Sequence, residues 1–274
     1  MRIGLFDSGI GGLFVLRHVA KALPEYHYVF LGDTENVPYG EKSDEEIYDL
    51  VQKSLQMLFE QNCSLVIFAC NTASVTALRK IQDEFLPAYF PDRSVLGMII
   101  PTVEEILTRP TKSVAIIATE RTIRSKKYER EILTRNPSVV IHALATPTLV
   151  PLIEGGNLVE AREEAVQQIK KHLLPFTPDT LVLGCTHYGL LRDHLEQAFP
   201  HLRIISQERL IPQKLQNYLE RHPEIETRLI HDSKRDFFLT KITAIYKNFV
   251  REHFGDFPLA IPANTDIDKR GKTS

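Results

Sequence analysis

Two of the three cysteines stand directly after short apolar runs, in "LVIFACNTASV" (65–75) and "LVLGCTHYGLL" (181–191). Such runs are typical of buried strands, and ligands of open α/β sheets bind beyond the carboxyl ends of the strands. We therefore expect both thiols to belong to a ligand site. The residues after the two cysteines are small or polar: Asn71 and Thr72 after Cys70, Thr186 and His187 after Cys185.

Two thiols that face one substrate could invert a tetrahedral carbon by proton transfer. A thiolate on one face would remove the Cα proton, and a thiol on the other face would return one. A free thiol has a pKa of about 8.5, so either role is accessible near neutrality if a neighbouring group assists ionisation. Asp7 and His187, one in each half of the chain, are predicted to assist the nearer cysteine.

The other predicted strand ends also provide polar residues. Hydroxyl, amide and backbone N–H groups of this kind suit a small, polar, anionic ligand, and they could stabilise a carbanion at the substrate. The further candidates are Ser8 after the first strand, Pro38, Tyr39 and Gly40 after the second, and Thr119 and Thr122 in the second half.

Three alternatives remain open at this point. Cys70, Cys185 and His187 could bind zinc, although the chain has no CxxC or HxxxH spacing. A Cys-His-Asp hydrolase would leave Cys70 and its polar neighbours unused. "DSGIGG" (7–12) could be a tight turn only, or a carboxylate site at a helix start; Phe14 replaces the third glycine of a dinucleotide fingerprint. We interpret Cys63 as core packing.

Composition excludes several classes of protein. The chain has 274 residues, 43% of them hydrophobic, and a formal net charge of −2, which predicts a globular protein without a basic surface for nucleic acid. We find no stretch long and apolar enough to span a membrane. Because "MRIGLFDSG" begins a strand-like run at once, and three cysteines suggest reduced thiols, we expect a cytoplasmic protein.

Short β-branched runs alternate with stretches of helical periodicity, which predicts an α/β fold of βα units on mainly parallel sheets. Each cysteine segment follows the same order: a strand that ends in cysteine, a few polar residues, a helix and another strand. We therefore expect two similar lobes with the active site in the cleft between them. We place 1–98 plus 207–255 in the first lobe, 99–206 in the second, and 256–274 in a flexible tail. Late in the chain we predict a strand over Thr227–Ile230 and a helix over Lys234–Phe254.

Five segments resemble the motifs of glutamate racemases, within the aspartate/glutamate racemase superfamily. They are, in chain order, "GLFDSGIGGLFVL", "LGDTENVPYG", "CNTAS", "IATERT" and "GCTHYGLL". The resemblance implies a cofactor-independent isomerase that interconverts L- and D-glutamate in the bacterial cytoplasm and supplies D-glutamate for peptidoglycan. It also implies two α/β lobes and a homodimer. His187 favours glutamate over aspartate, because aspartate racemases usually have glutamate after Cys-Thr. The alternatives are an aspartate or other amino-acid racemase of the same superfamily, or a binding protein that keeps the fold with weakened catalysis.

Carried over residue by residue, the resemblance implies that Cys70 and Cys185 are the catalytic pair, serving D- and L-glutamate respectively. Asp7 and His187 would assist them. The implied substrate-binding residues are Ser8, Pro38, Tyr39, Gly40, Asn71, Thr72, Thr119, Thr122 and Thr186. Four places depart from the family pattern: Gly189 in place of proline, Ala118 in place of glycine, Thr146 in place of cysteine, and Ser206-Gln207 in place of Asp-Ser.

Overall fold

The computed structural model describes residues 1–255 and 258–262. In this part of the chain the strands form two parallel sheets. The first has six strands in the order β10-β9-β2-β1-β3-β4, and the second has four in the order β6-β5-β7-β8. The strands are β1 (Arg2–Asp7), β2 (Tyr28–Gly32), β3 (Cys63–Phe68), β4 (Ser94–Gly97), β5 (Ser113–Ala118), β6 (Val140–Ala145), β7 (Thr180–Leu183), β8 (Arg203–Ser206), β9 (Arg235–Leu239) and β10 (Leu259–Ala260).

Helices connect the strands, as parallel pairing requires. The α-helices are α1 (Gly12–Ala22), α2 (Asp44–Glu60), α3 (Asn71–Thr76), α4 (Leu78–Lys80), α5 (Leu86–Tyr89), α6 (Ile99–Ile106), α7 (Glu120–Arg124), α8 (Lys127–Arg135), α9 (Leu149–Glu154), α10 (Leu158–His172), α11 (Arg192–Ala198), α12 (Gln207–Arg221), α13 (Pro223–Glu226) and α14 (Ala244–Phe254). A π-helical turn (Ile81–Phe85) joins α4 to α5, and 3₁₀ turns cover Tyr39–Glu41, Leu174–Phe176 and Thr186–Leu191.

Both faces of each sheet are covered by helices. Successive strand residues point to opposite faces, so Leu5 of β1 packs in the cluster with α1 and α12, whereas Phe6 packs in the cluster with α2. In the second sheet, Ile117 faces α9–α11 and Ile116 faces α6 and α8. This two-sided burial explains why the strands are continuous apolar runs. Over the described residues, no helix is both long and apolar enough to cross a bilayer.

The predicted fold class, α/β with two mainly parallel sheets, is confirmed. The lobe boundaries at 98/99 and 206/207 stay a prediction. Part of the predicted tail is described: Leu259–Ala260 is β10, which pairs in parallel with β9 at Phe237 and Phe238. The remainder of that tail, 256–257 and 263–274, lies outside the described residues.

Two late elements differ from the prediction. Residues 227–230 form a turn, not a strand, and the strand is β9, inside the segment predicted as the start of a helix. β9 pairs with β2, which buries Phe237 and Leu239 in the first sheet. A short segment with only three apolar residues, Phe237, Phe238 and Leu239, fits a strand and a helix equally well, and only the partner strand decides between them. Helices α6 and α9 were not predicted.

Helix α2 begins with a reciprocal cap. The Glu46 N–H donates to Ser43 Oγ at 3.1 Å, and the Ser43 N–H donates to the Glu46 carboxylate at 2.8 Å. These bonds satisfy backbone donors that have no partner inside the helix. The cap fixes the start of α2 directly after the loop of Tyr39–Glu41.

Ser43→Ala should lower the free energy of unfolding by about 1 kcal/mol, because the helix loses its side-chain acceptor. Urea unfolding followed by circular dichroism measures the change. Ser43→Asp keeps an acceptor at the cap and is the matched control. An alanine variant as stable as the unmodified protein would contradict this role for the cap.

Candidate active site

The ends of β3 and β7 position the two thiols. Cys70 lies two residues beyond Phe68 and caps α3, with its Sγ accepting the Ala73 N–H at 3.3 Å. Cys185 lies two residues beyond Leu183 and precedes the 3₁₀ turn of Thr186–Leu191. One thiol therefore comes from the carboxyl edge of each sheet, as the strand-end argument predicted.

Both thiols line one pocket of about 650 Å³, part of which is open to solvent. Every residue predicted for the site lines this pocket except Asp7 and Thr122, which are buried next to it. Seven further residues line it that the sequence reasoning did not select: Val37, Glu41, Glu120, Thr146, Pro147, Val150 and Pro151.

Cys70 has a neutral hydrogen-bonding partner and a negative neighbour. The Ser8 hydroxyl lies 3.2 Å from Cys70 Sγ. Burial, followed by the negative charge of Asp7, raises the pKa of the Cys70 thiol to about 12, although the bonds from Ser8 and Ala73 act in the opposite direction. In the free protein Cys70 is therefore a thiol.

Cys185 has a different partner, because its Sγ lies 3.6 Å from Nδ1 of His187. Nε2 of the same ring lies 2.6 Å from Oε1 of Glu154. Burial by itself would lower the pKa of His187, but the hydrogen bonds and charges of Cys185 and Glu154 outweigh it and raise that pKa well above its usual value. The ring is therefore an imidazolium that faces a sulfur on one side and a carboxylate on the other.

Asp7 connects the two sheets beneath the pocket. Its Oδ2 accepts the Thr186 hydroxyl at 2.9 Å, and its Oδ1 accepts the Gly9 N–H at 2.8 Å. Burial raises the pKa of the Asp7 carboxyl, although the charge of His187 and the bonds from Gly9 and Thr186 act against it. Asp7 thus bonds to the residue after Cys185, while its effect on Cys70 is electrostatic.

Threonine hydroxyl groups form a chain of hydrogen bonds where the two sheets meet beside the pocket. Thr72 Oγ1 lies 2.9 Å from Thr119 Oγ1, and Thr119 donates to Thr122 at the same distance. Thr122 therefore holds the Thr119 hydroxyl from the side away from the pocket and does not line the pocket itself. Near the loop of Tyr39–Glu41, the Tyr39 hydroxyl donates to Asp33 at 2.6 Å.

The "DSGIGG" segment approaches the second sheet closely. A side chain at Gly11 would place its Cβ 2.6 Å from His187 Nδ1 and from Thr186 Oγ1, so only glycine fits. One backbone donor of this segment is used within the protein: the Ile10 N–H donates to Glu154 Oε1 at 3.2 Å.

Glu154 is the functional residue that the sequence reasoning missed. It ends α9, a short helix that was not predicted, and no strand leads into it. The one available signal was a carboxylate after the apolar run "LVPLI" and before Gly155 and Gly156. A pattern of strand ends cannot find such a residue, because a helix brings it to the site.

The zinc alternative finds no support in the placement of side chains. Among the described residues, no group of three or more His, Cys, Asp and Glu side chains is arranged to hold a metal ion. His187 instead uses its two ring nitrogens for Cys185 and Glu154.

Gly189 departs from the family pattern because of its neighbour Glu208. A Cβ at position 189 would lie 2.9 Å from Glu208 Oε2 and 3.0 Å from its Cδ. Glu208 is buried, and its Oε1 accepts the Ser206 hydroxyl at 2.6 Å, so it cannot move away freely. The glycine provides the space that this buried carboxylate occupies.

A pocket between two parallel α/β sheets, with one thiol from each, defines a class of proton-transfer isomerase, and comparisons with known proteins agree. A sequence profile of the Asp/Glu/Hydantoin racemase family matches residues 13–210. A glutamate racemase from Roseobacter denitrificans is 39% identical over 237 residues, 81% of this chain and 87% of the relative. A glutamate racemase from Ruegeria pomeroyi is 37% identical over 239 residues, which cover 82% of this chain and 87% of the relative.

Solved structures give the same result. A glutamate racemase isoform from Bacillus anthracis superimposes with a TM-score of 0.82 at 29% identity, covering 97% of both chains. The enzyme from Francisella tularensis, solved in complex with D-glutamate, gives 0.81 at 25% identity, covering 96% of this chain and 97% of the other. The chain belongs to the Asp/Glu/hydantoin racemase family, as an isomerase of its glutamate racemase group. The resemblance seen in the five motifs is confirmed.

Gly189→Ala should lower the free energy of unfolding by about 1–3 kcal/mol, because the new methyl overlaps the Glu208 carboxylate. A double-mutant cycle measures the coupling between positions 189 and 208. The free energy of urea unfolding is compared for the unmodified protein, Gly189→Ala, Glu208→Ala and the variant with both changes. The cost of the methyl should largely vanish in the Glu208→Ala background. An equal cost in both backgrounds would show that Glu208 is not the obstacle.

Glu154→Gln should lower the pKa of His187, because the ring loses the charge of its carboxylate partner while the effect of burial remains. The shift is measured by NMR titration of the His187 ring. Glu163→Gln, an exposed change on α10, is the control and should leave the titration unchanged. An unchanged His187 pKa in the Glu154 variant would refute the assigned cause.

Proposed function

We propose that this protein interconverts L- and D-glutamate by moving the Cα proton between Cys185 and Cys70, without a cofactor. The observation that carries the proposal is the pair of thiols, one from each sheet, lining one pocket. Glutamate as substrate is supported by the names of the relatives and by the D-glutamate complex of the Francisella tularensis enzyme.

The two sulfurs have different neighbours. The imidazolium of His187 lies 3.6 Å from Cys185 Sγ and stabilises negative charge there. Cys70, with its pKa raised to about 12, holds its proton. We therefore assign Cys185 as the base that takes the Cα proton of L-glutamate and Cys70 as the donor on the opposite face.

The proton balance follows from these roles. The Cα–H bond of L-glutamate breaks, its proton moves to Cys185 Sγ, and the electron pair stays on the substrate as a carbanion. The Cys70 S–H bond then breaks and its proton forms the new Cα–H bond of D-glutamate. The product complex holds a Cys185 thiol and a Cys70 thiolate, so D-glutamate can react by the reverse path.

Apart from the His187 ring beside Cys185, neutral donors must stabilise the carbanion and the two substrate carboxylates. Among the residues described around the pocket there is no lysine or arginine. Hydroxyl, amide and backbone N–H groups therefore supply the electrostatic stabilisation, which is strong when such donors are fixed in advance. The proposed substrate-binding residues are Ser8, Pro38, Tyr39, Gly40, Asn71, Thr72, Thr119, Thr122 and Thr186. Thr122 acts by orienting Thr119.

The proposed cellular role is the supply of D-glutamate for peptidoglycan in the cytoplasm, and the proposed assembly is a homodimer. Both follow from membership of the glutamate racemase group. Analytical ultracentrifugation of the purified protein tests the assembly directly, since a monomer at micromolar concentration would contradict it.

Racemisation in D₂O tests the two-thiol reaction. L-Glutamate incubated with the protein should gain deuterium at Cα and yield both enantiomers, measured by NMR and chiral chromatography. Cys70→Ala and Cys185→Ala should each reduce racemisation by roughly 10²- to 10⁴-fold or more, because each removes an acid/base group. L-Aspartate, run in parallel, should not be racemised.

Cys63→Ala is the matched control, because Cys63 is a buried thiol of β3 outside the pocket. It should retain racemisation. Cys70→Ala should still exchange the Cα proton of L-glutamate without inverting it, since Cys185 remains. Full racemisation by either pocket variant would refute the two-thiol mechanism, and no exchange with the unmodified protein would refute glutamate racemisation.

A further inference from the structure

A buried amide pair stands behind the pocket wall next to Cys70. Asn71 Nδ2 donates to Gln207 Oε1 at 2.6 Å, and Gln207 Nε2 donates to Asn71 Oδ1 at 2.8 Å. Both side chains are 2% exposed. Asn71 lines the pocket, whereas Gln207, the first residue of α12, does not.

Two residues from helices beside the second sheet complete this cluster. The Tyr128 hydroxyl of α8 donates to Asn71 Oδ1 at 2.9 Å, and Gln207 Nε2 donates to the Tyr128 oxygen at 3.1 Å. Gln207 Nε2 also lies 3.4 Å from Thr102 Oγ1 of α6. Gln207 thus joins a wall of the pocket on the first sheet to two helices of the second.

The orientation of the amides is fixed by Thr102. An amide pair alone could be reversed without losing its two bonds. The Thr102 hydroxyl, however, donates to the Met98 carbonyl at 2.7 Å, so its oxygen can only accept toward Gln207. An oxygen of Gln207 in this place would face another oxygen that can only accept, at 3.4 Å, so nitrogen is favoured there and Gln207 Oε1 faces the nitrogen of Asn71.

The consequence for Asn71 is that it can act only as a donor. Its Oδ1 already accepts two hydrogen bonds, from Tyr128 and Gln207, and has no lone pair left. Its Nδ2 carries two hydrogens, of which Gln207 takes one. The remaining N–H suits an anionic acceptor in the pocket, such as a carboxylate, and a reversed amide would instead present a repelling oxygen.

We propose that Gln207 is a positioning residue for substrate binding, which holds Asn71 with its N–H available to a substrate carboxylate. The proposal rests on the proposed function, because it assumes that a dicarboxylic amino acid occupies the pocket. Gln207 does not touch the substrate itself and acts through Asn71.

Gln207→Met tests the proposal, since methionine has a similar length but cannot form the amide pair. KM for L- and D-glutamate should rise roughly 10- to 100-fold, the effect of losing one oriented hydrogen bond to a charged group, and kcat should change less than KM. Gln213→Met is the matched control: it is an exposed glutamine on the same helix, bonded to Asn217, and should leave both constants unchanged.

A double-mutant cycle separates positioning from a merely structural role. If Gln207 acts through Asn71, then KM of Asn71→Ala should barely change when Gln207→Met is added. The proposal would be overturned if the KM increases of Asn71→Ala and Gln207→Met multiplied in the double variant. It would also be overturned if Gln207→Met left KM unchanged or lowered only kcat. If the methionine variant does not fold, as judged by its thermal midpoint, Gln207→Glu replaces it, since a carboxylate cannot donate to Asn71.

The same assays keep the two proposals distinct. A protein that does not racemise glutamate in D₂O would overturn the proposed function. A protein that racemises glutamate, with a Gln207 variant of normal KM, would overturn this inference alone.

Discussion

The hydrogen bond from the Thr186 hydroxyl to the buried Asp7 carboxylate joins the end of β7 to the end of β1, and with them the two parallel sheets. Three similar contacts cross the same junction: Ile10 to Glu154, Thr72 to Thr119, and Tyr128 to Asn71. A buried polar group without a partner costs roughly 1–3 kcal/mol, so these groups favour the arrangement in which the two carboxyl edges face each other. The pocket exists because the polar ends of one sheet are satisfied by the other.

This junction gives two identical side chains different chemistry. Cys70 lies beside Ser8 and within the field of Asp7, which favours the neutral thiol. Cys185 lies beside His187, and the Glu154 carboxylate keeps that ring positively charged. The proposed reaction, which requires one base and one acid, would use this difference.

Three of the four departures from the family pattern, at positions 189, 207 and 146, involve a direct contact with a partner residue. Gly189 accommodates Glu208, which occupies the volume that a larger residue would need. Gln207 stands where the family usually has serine and reaches Asn71, Tyr128 and Thr102. Thr146 bonds the Tyr188 hydroxyl at 2.7 Å, where a cysteine would form a weaker hydrogen bond. Each of these three departures therefore leaves the pocket wall supported.

The sequence by itself determined the elements whose signal is local. Continuous apolar runs indicate strands buried on both faces, and the residues directly after them, Cys70 and Cys185 included, must lie at the carboxyl edge of a sheet. Features that depend on a partner far away in the chain cannot be recognised from a local sequence pattern. β9 was mistaken for a helix because its identity depends on pairing with β2, and Glu154 was missed because α9 brings it to His187. Tertiary structure alone decided which groups meet across the junction, and with them the surroundings of each thiol, because burial and neighbouring charge are properties of the assembled site and not of the chain.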